Sequence, residues 1–599
     1  MQTDSLADLL IHINALISKR DLAQAILLLS KTIHANPRFY QGWLLLSKCL
    51  FLQGDTQKAI QLGIHAETVD PLQSDFQTIQ QLITQNSLNK AQQLAQRMLH
   101  KQPGHPRAIF TLAHTFGVQQ RVIKSVEILE QGILSCPANL MLRQLLISHY
   151  EQAGNYSQAI ESARVLYKLN DSFETLKPLL TMLLKYGQYE SLLELIDKAE
   201  KAVGNDKSKL SQLAIIHGHV LRILGKRDQS IKAFHQSLSN NPLNAEAWWA
   251  LSDFKNYDFT QSQRLAISQV LHNANISAEQ KAFASFAYAK ACESIGSESV
   301  AIQLYHDANQ RASNKLYNTK QIDAEFTKRK SAYTRKSMTA KAKITKTQPI
   351  PIFIVGLPRS GSTMLEQMLA SHSNIQATIE QPSMAAIERQ AQSISIEKYG
   401  LDLFDGIGQF SSEELNVLGT NFIDNGALFR MGNEEYFIDK QPFNFRLVGL
   451  ISKILPQAII IDIRRNPLDC GLSLYKQYFP SGVDFSYHLS NIGHFYKAYV
   501  ELMQHWHKHI QGKVLQVNYE ELVESPKHQL EKIFKHIGLE FEHTCLTFHS
   551  NNQKIHTTSS EQVRQPINSK GIGQWKKLEK ELEPLKQSLG KELLTSLMS

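Results

Sequence analysis

A short loop rich in glycine and hydroxyl groups is the strongest chemical signal in the chain. Residues 356–363 read GLPRSGST; they follow an apolar run and precede a stretch with apolar residues at helical spacing. Such a strand, loop and helix N-terminus form an anion cradle, because first-turn N–H groups lack an intrahelical partner and the helix dipole favours negative charge. The glycines let the backbone approach an anion closely, and Ser360, Ser362 and Thr363 add hydroxyl donors. The loop therefore predicts a phosphate site.

The loop has the spacing of a nucleotide-binding P-loop but lacks its lysine. A nucleoside-triphosphate site uses G-x-x-x-x-G-K-[ST], whereas here Gly361 is followed by Ser362 and the cation lies inside the loop, at Arg359. This arrangement resembles that of sulfotransferases. The resemblance implies that the loop holds the 5′-phosphosulfate of 3′-phosphoadenosine 5′-phosphosulfate (PAPS). The implied contacts are Arg359, Ser360, Gly361, Ser362 and Thr363.

The elements that must position this loop are those of an α/β domain. From residue 349, apolar strand candidates alternate with helical patterns. The candidates are PIFIV (351–355), YFID (436–439), AIIIDI (458–463) and KVLQVNY (513–519). The alternation predicts an α/β fold with a parallel sheet, in which ligands sit at the carboxyl ends of the strands.

Two of these strand ends carry further cofactor signals. Arg465 and Ser473 have the R-x7-S separation with which sulfotransferases hold the 3′-phosphate; the arginine offers charge-assisted donors and the serine lies two helical turns further on. Ser473 could instead be an ordinary surface serine. Tyr519 opens a Y-E-x-L-V segment whose tyrosine lies against the nucleotide in the same superfamily, although a core tyrosine at a helix start is the alternative. A second phosphate site argues against a kinase.

Three segments sharpen the resemblance. Glu380 lies 21 residues after Arg359, residues 439–443 read DKQPF, and residues 559–568 read SSEQVRQPIN, followed by Trp575. Residues 350–580 thereby resemble tyrosylprotein sulfotransferase, and the whole chain resembles bacterial proteins that join tetratricopeptide repeats to such a domain. The resemblance implies the following roles: Glu380 as general base, Lys440 and Ser559 as stabilisers of the leaving oxygen, Arg359 as the sulfonate ligand, and Gln562 and Asn568 as cofactor contacts.

These assignments have alternatives, and the sequence departs from the family pattern at two cofactor-contact positions. Glu380 could be a surface glutamate at a helix start, Lys440 could be a structural partner of Asp439, and a histidine could be the base, as in small-molecule sulfotransferases. The family has a lysine where this chain has Gln574, and an arginine where it has Gln477. Both are cofactor contacts in the family, so the affinity for PAPS is open.

The acceptor is expected to be tyrosine in a protein or peptide. A phenol, with a pKa near 10, loses its proton more readily than an alcohol, and a carboxylate moved into a pocket poor in water becomes a stronger base. Two other interpretations stay open. The first is PAPS-dependent sulfation of a small molecule, glycan or lipid, and the second is an inactive scaffold protein.

Composition narrows the protein class. With 42% hydrophobic and 20% charged residues, the 599-residue chain is globular, and a net charge of +9 with dispersed basic residues suits an anionic cofactor rather than nucleic acid. Five scattered cysteines have no metal-ligand spacing and are expected to stay reduced. Neither a signal peptide nor a membrane helix is predicted, so we expect a cytoplasmic protein without a metal. Whether it forms a homodimer is open.

Residues 1–330 show a helical repeat. The tetratricopeptide template fits Trp43, Leu46, Ala59, Ala66 and Pro71, and later units keep its alanines. The later units fit the template less closely, and the residues that mark them include Ala91, Ala95, Ala159, Ala163, Ala233 and Phe234. Such hairpins stack into a superhelix with a concave groove, which we expect to dock the acceptor protein, although a packing array without a ligand is the alternative. A basic linker with few apolar anchors is predicted at 331–348, before a sulfotransferase domain at 349–599.

Overall fold

The computed structural model describes residues 3–296, 298–312, 317–339, 341–343, 349–550 and 565–598. The described part of the first 332 residues is helical throughout, with short turns between the helices. The helices are α1 Thr3–Ser18, α2 Leu22–Ala35, α3 Tyr40–Gln53, α4 Thr56–Thr68, α5 Gln73–Thr84, α6 Leu88–Lys101, α7 Pro106–Val118, α8 Val122–Ser135, α9 Leu140–Ala153, α10 Tyr156–Leu169, α11 Phe173–Lys185, α12 Tyr189–Val203, α13 Lys207–Ile223, α14 Arg227–Asn240, α15 Ala245–Ser252, α16 Gln261–His272, α17 Ala278–Glu293, α18 Glu298–Ala312 and α19 Thr319–Ala332.

The alanines of the repeat template lie where paired helices approach each other. Ala59 and Ala66 are fully buried on α4, and the buried Ser47 hydroxyl on α3 donates to the Ala59 carbonyl at 2.6 Å. Gly54 turns the chain between these helices with a φ of 99°, a conformation that favours glycine. The alanines of the later units are buried in the same way. The predicted helical repeat is confirmed.

The chain divides into two compact units. The first comprises Met1–Met182 and Ala386–Leu403, and the second comprises Leu183–Ala385 and Phe404–Ser599. Within the first unit, Arg389 Nε donates to the Gln152 carbonyl at 2.7 Å and Gln390 Nε2 to the Ala153 carbonyl at 2.6 Å. This division differs from the predicted boundary at residue 330, because residues 183–330 belong to the second unit and residues 386–403 belong to the first.

The described part of the predicted linker is anchored in the second unit, contrary to the expectation of few apolar anchors. Helix α19 ends at Ala332, and Tyr333 behind it is 2% exposed, its ring edge-on to Trp506 at a centroid distance of 5.9 Å. Ala342 N donates to the Lys453 carbonyl at 2.8 Å. The aromatic ring and the backbone pairing fix this segment to the α/β domain.

The second half contains the predicted parallel sheet. Its elements are β1 Ile350–Gly356, α20 Ser362–Ala370, β2 Ile375–Ala377, α21 Ser383–Ile394, α22 Leu403–Gly406, α23 Ser412–Asn425, β3 Tyr436–Asp439, α24 Val448–Ile454, β4 Ile459–Arg464, α25 Pro467–Tyr475, α26 Leu489–His509, β5 Val514–Asn518, α27 Tyr519–Glu524, α28 Pro526–Ile537, α29 Glu583–Leu589 and α30 Lys591–Met598. The five strands are parallel, in the order β2-β3-β1-β4-β5. The α/β prediction is confirmed, and β2 is the strand that the sequence pattern missed.

The sheet is covered by apolar side chains that hold the loop after β1 in place. Ile352 and Ile354 of β1 pack with Leu365 and Met368 of α20, all fully buried. Because every strand is parallel, all five carboxyl ends lie at one edge of the sheet. In the part of the chain that the structure describes, no helix has the length and apolar character needed to cross a membrane.

Candidate functional site

The loop between β1 and α20 has an unusual backbone. Arg359 has a φ of 70°, in the left-handed region, and Gly361 follows at 95°. A non-glycine residue in this region costs free energy, so surrounding contacts must maintain it. Gly356 approaches the sheet so closely that an added Cβ would lie 2.5 Å from the Ile463 carbonyl oxygen. These backbone conformations and the close approach of Gly356 to the sheet fix the path of the loop.

The two predicted phosphate sites are joined by direct hydrogen bonds. Arg359 Nε donates to the Ser473 hydroxyl at 3.0 Å, and Arg465 Nη1 donates to the Arg359 carbonyl at 2.9 Å. Arg465 Nη2 also donates to the carbonyl of Gly571. Burial lowers the pKa of Arg359, and the charge of Arg465 lowers it further, against the opposing charge of Asp253. Two adjacent guanidinium groups in a half-buried site favour an anion between them.

Tyr519 completes this side of the site. Its ring lies over Gly361, where an added Cβ would come within 2.2 Å of Cδ2. The Arg465 guanidinium lies 5.2 Å from the centroid of the same ring, on its face. Tyr519 is therefore part of the loop's surroundings and also the first residue of α27, and its role as a cofactor contact stays a prediction.

A second cluster lies at the ends of β2 and β3. Lys440, directly after β3, donates from Nζ to Glu380 Oε1, and its Nζ lies 3.8 Å from Glu366 Oε2 on α20. The Lys440 and Glu366 side chains are each 1% exposed, whereas that of Glu380 is 47% exposed. Lys440 pairs with these two glutamates rather than with Asp439, which was the alternative partner. The cluster joins the general base and the stabilising lysine that the resemblance implied.

Neighbouring hydrogen bonds hold Glu380 beside Lys440. The buried Thr378 hydroxyl donates to the Ile438 carbonyl of β3 at 2.6 Å, and Gln381 Nε2 donates to Thr378 Oγ1 at 2.6 Å. These two bonds tie both flanks of Glu380 to the last residues of the sheet. The glutamate is thus exposed at its carboxylate and fixed at its backbone.

Burial changes the charge states in this cluster. It raises the pKa of Glu366 to about 7, against the lowering effect of Lys440 and with a further increase from Glu380. Burial also raises the pKa of Asp439 well above its usual range, which favours the neutral form of this carboxyl. For Lys440, burial lowers the pKa, but the charges of Glu380 and Glu366 outweigh it and the net pKa is raised. The ammonium therefore depends on its carboxylate neighbours.

The described part of the C-terminal segment is attached to α25. Asp469 accepts hydrogen bonds from Gly573 N at 2.7 Å and from Trp575 N at 3.0 Å. Gln574, the residue that replaces a family lysine, is exposed and donates to the Lys570 carbonyl at 2.7 Å. Asp469 thereby holds in place the turn that contains Gly571, whose carbonyl accepts the hydrogen bond from Arg465.

The structure brings some of the predicted site residues together and leaves others apart or undescribed. The structure brings Arg359, Arg465, Ser473 and Tyr519 together around the loop, and it joins Glu380 to Lys440. Asn568 is exposed, and its described hydrogen bonds are local: Nδ2 donates to the Pro566 carbonyl at 3.1 Å and Oδ1 accepts from Lys570 N at 3.3 Å. Ser559 and Gln562 lie outside the described residues.

Sequence reasoning missed Glu366, Asp469 and Gly571. Glu366 stands between apolar residues of a predicted helix, where a glutamate is usually assigned to the solvent-facing side. Its position one turn after the loop was the available signal in the sequence. Asp469 follows the Asn466-Pro467 helix start and could have been recognised only as a capping residue.

The residues present fit a ligand that carries phosphate groups. Within the described ranges, the buried Ser360 Oγ and Arg465 Nε have no hydrogen-bond partner. Ser360 belongs to the loop, and Arg465 is the arginine beside it. Unpaired buried donors cost free energy unless a ligand accepts hydrogen bonds from them. Among the residues that the structure describes, no group of three or more His, Cys, Asp or Glu side chains is placed to hold a metal ion.

Comparison with known families agrees with the two-part architecture. Residues 351–543 match the model of the sulfotransferase family, and residues 12–63 and 217–254 match that of the tetratricopeptide repeat. The second half of the chain therefore carries a sulfotransferase-family domain, and the first half carries tetratricopeptide repeats.

Similar proteins cover only parts of the chain. An uncharacterised protein of Aquifex aeolicus is 26% identical over 61% of this chain and 48% of its own length. Protein-tyrosine sulfotransferase 2 of Gallus gallus is 24% identical over 37% of this chain and 62% of its own length. The chain thus spans about half to three fifths of these relatives. A solved sulfotransferase domain from the Synechococcus PCC 7002 olefin synthase aligns with 40% of this chain and 91% of its own, at 20% identity and a TM-score of 0.30.

Proposed function

We propose that this protein transfers a sulfuryl group from PAPS to the hydroxyl of tyrosine in a protein or peptide. The observation that carries the proposal is the series of hydrogen bonds that links Ser473, Arg359 and Arg465. It joins the loop to a second positively charged site that can bind an anion. A donor with phosphates at both the 5′ and the 3′ position needs two such sites. A nucleoside triphosphate needs only one.

The loop and its neighbours supply the donor site. When bound, PAPS supplies an activated sulfuryl group, whose bond to the 5′-phosphate breaks as the acceptor oxygen attacks. Arg359, Ser360 and the first-turn N–H groups of α20 hold the 5′ end, with Gly361, Ser362 and Thr363 shaping the path. Arg465 and Ser473 hold the 3′-phosphate, and Tyr519 lines the nucleotide between them.

Glu380 and Lys440 supply the chemistry. The exposed Glu380 carboxylate accepts the proton of the acceptor hydroxyl as that oxygen forms its bond to sulfur. The electron pair of the breaking bond is left on the bridging oxygen of the 5′-phosphate, where the Lys440 ammonium offsets the charge. Ser559, Gln562 and Asn568 stay in the roles that the family resemblance implies, which are leaving-oxygen stabilisation for Ser559 and cofactor contact for the other two.

The repeats favour a protein acceptor. Tetratricopeptide repeats generally present protein-binding surfaces, and a docking surface does little for a small acceptor. Similarity to a protein-tyrosine sulfotransferase points the same way at 24% identity. Sulfation of a small molecule, glycan or lipid is the second candidate, favoured by the half-exposed Glu380, which a small hydroxyl compound can also reach. A cytoplasmic location and a homodimer belong to the proposal as predictions.

A transfer assay tests the acceptor class. The full chain is incubated with radiolabelled PAPS and a tyrosine peptide, the same peptide with phenylalanine, or a phenol or sugar. Label on the tyrosine peptide alone supports the proposal, and label on only the phenol or sugar contradicts it. Glu380→Gln is expected to lower the rate by roughly 100-fold or more, because the proton acceptor is lost. Glu413→Gln, an exposed glutamate on α23, is the matched control and keeps the wild-type rate.

A further inference from the structure

Lys440 has two carboxylate neighbours that differ in their access to solvent. Glu380 Oε1 accepts from its Nζ and has a side chain that is 47% exposed, whereas Glu366 Oε2 lies 3.8 Å away and its side chain is 1% exposed. Neither oxygen of Glu366 has a hydrogen-bond partner among the described residues. The proposed chemistry uses the first carboxylate and gives no role to the second.

The proposed role of Glu380 creates a charge problem at Lys440. As a general base, Glu380 must turn its carboxylate toward the acceptor and then becomes neutral when it takes the proton. A buried ammonium left without a counter-ion is strongly unfavourable and tends to lose its proton. Lys440 must nevertheless keep its charge at that moment, because the leaving oxygen becomes negative in the same step.

Glu366 is the group that can solve this problem. Three titratable groups act on Lys440: Glu380 after β2, Glu366 on α20 and Asp439 at the end of β3. The Oδ1 of Asp439 accepts from Asn444 Nδ2 at 3.3 Å, and Lys440 forms its ion pairs with the two glutamates. That leaves the buried carboxylate of Glu366, which α20 holds in place through its packing on the sheet.

We propose that Glu366 is a positioning residue. It keeps Lys440 charged and in place while the Glu380 carboxylate turns from the lysine to the acceptor hydroxyl. The inference rests on the proposed function, because it assigns Lys440 to the oxygen between donor sulfur and 5′-phosphate. Glu366 touches neither substrate and acts only through the lysine. The loop helix thereby contributes its N-terminus to the donor and its second turn to the lysine.

The test is calorimetric binding of 3′-phosphoadenosine 5′-phosphate (PAP) to the full chain at about pH 6 and about pH 8.5, on either side of the Glu366 titration. Glu366→Gln is expected to match the wild type within about twofold at the lower pH, where Glu366 is already neutral, and to bind roughly tenfold more weakly at the higher pH. Glu366→Asp, which retains a carboxylate, restores the wild-type pH dependence. Asp439→Asn serves as the control and shows the wild-type pH dependence, since Lys440 forms its ion pairs with Glu366 and Glu380 rather than with Asp439.

The outcomes separate this inference from the function on which it rests. A wild type that binds PAP at neither pH would refute the proposed function. A wild type that binds, with a Glu366→Gln variant that is identical to it or weaker by the same factor at both pH values, would overturn the positioning role alone. A purely structural contribution of Glu366 produces that constant factor and no pH dependence.

Discussion

Arg359 Nε donates to the hydroxyl of Ser473 at 3.0 Å, so the loop after β1 and the helix after β4 meet in a single hydrogen bond. The two residues are 114 positions apart in sequence. Their contact places the predicted 5′-phosphosulfate site and the predicted 3′-phosphate site side by side before any ligand is considered. Substitution of Ser473 can therefore separate the contributions of the two phosphate groups to ligand affinity.

Ser473→Ala is expected to weaken PAP binding by about tenfold, because a hydrogen bond to a charged group is lost. Binding of adenosine 5′-phosphosulfate, which lacks the 3′-phosphate, should fall less. Titration calorimetry with both ligands measures the difference. Ser486→Ala, which removes another buried hydroxyl of the same domain, is the control and leaves both affinities unchanged. Equal losses for the two ligands would contradict the assignment of Ser473 to the 3′-phosphate.

Gly361→Ala is expected to lower the free energy of unfolding by about 2 kcal/mol or more, because the new Cβ meets the Tyr519 ring in addition to its strained φ. Gly482→Ala is the matched control: its φ is also positive, at 79°, but no atom lies within 4 Å of the added Cβ. The control should cost about 1 kcal/mol, the penalty of the left-handed backbone alone. Urea unfolding of the full chain measures both. Equal losses would show that the Tyr519 ring does not pack on the loop.

Glu366→Gln is expected to gain stability relative to the wild type as the pH rises. Burial raises the folded-state pKa of Glu366 from 4.5 to about 7, so the folded protein retains a proton that the unfolded chain has released. Wild-type stability therefore declines between about pH 4.5 and about pH 7, by about 3 kcal/mol in total, whereas glutamine has no proton to lose. Urea unfolding of both proteins at about pH 4.5 and about pH 8 measures the gap. A gap that does not widen with pH would show that Glu366 is charged throughout, as an ordinary surface glutamate is.

Much of the site could be predicted because its residues follow strands in the sequence. Arg359, Lys440 and Arg465 each follow a strand candidate of four or more residues, and Tyr519 is the last residue of another. Parallel strands bring such positions to one edge. The strand before Glu380 was missed because β2 has only three residues, too few for an alternating pattern. Its position was reached through family spacing instead.

The remaining features depend on tertiary packing. Glu366 looks like a solvent-facing helix residue until the sheet is placed beneath α20. Nothing in the segment around Arg389 and Gln390 indicates that it donates hydrogen bonds to repeat carbonyls more than 200 positions earlier. Tyr333 is similarly a single aromatic residue in a basic stretch, and only its contact with Trp506 shows that the stretch is anchored.

The most direct test of the proposed donor site is calorimetric binding of PAP and of ATP to the wild type and to Arg465→Ala. Arg465 contacts the Arg359 carbonyl, the Gly571 carbonyl and the Tyr519 ring, so its removal takes away the proposed 3′-phosphate ligand together with a support of the loop. We expect micromolar binding of PAP to the wild type, no binding of ATP, and a loss of PAP affinity of about 100-fold in the variant. Absence of PAP binding to the wild type, or preference for ATP, would contradict this expectation.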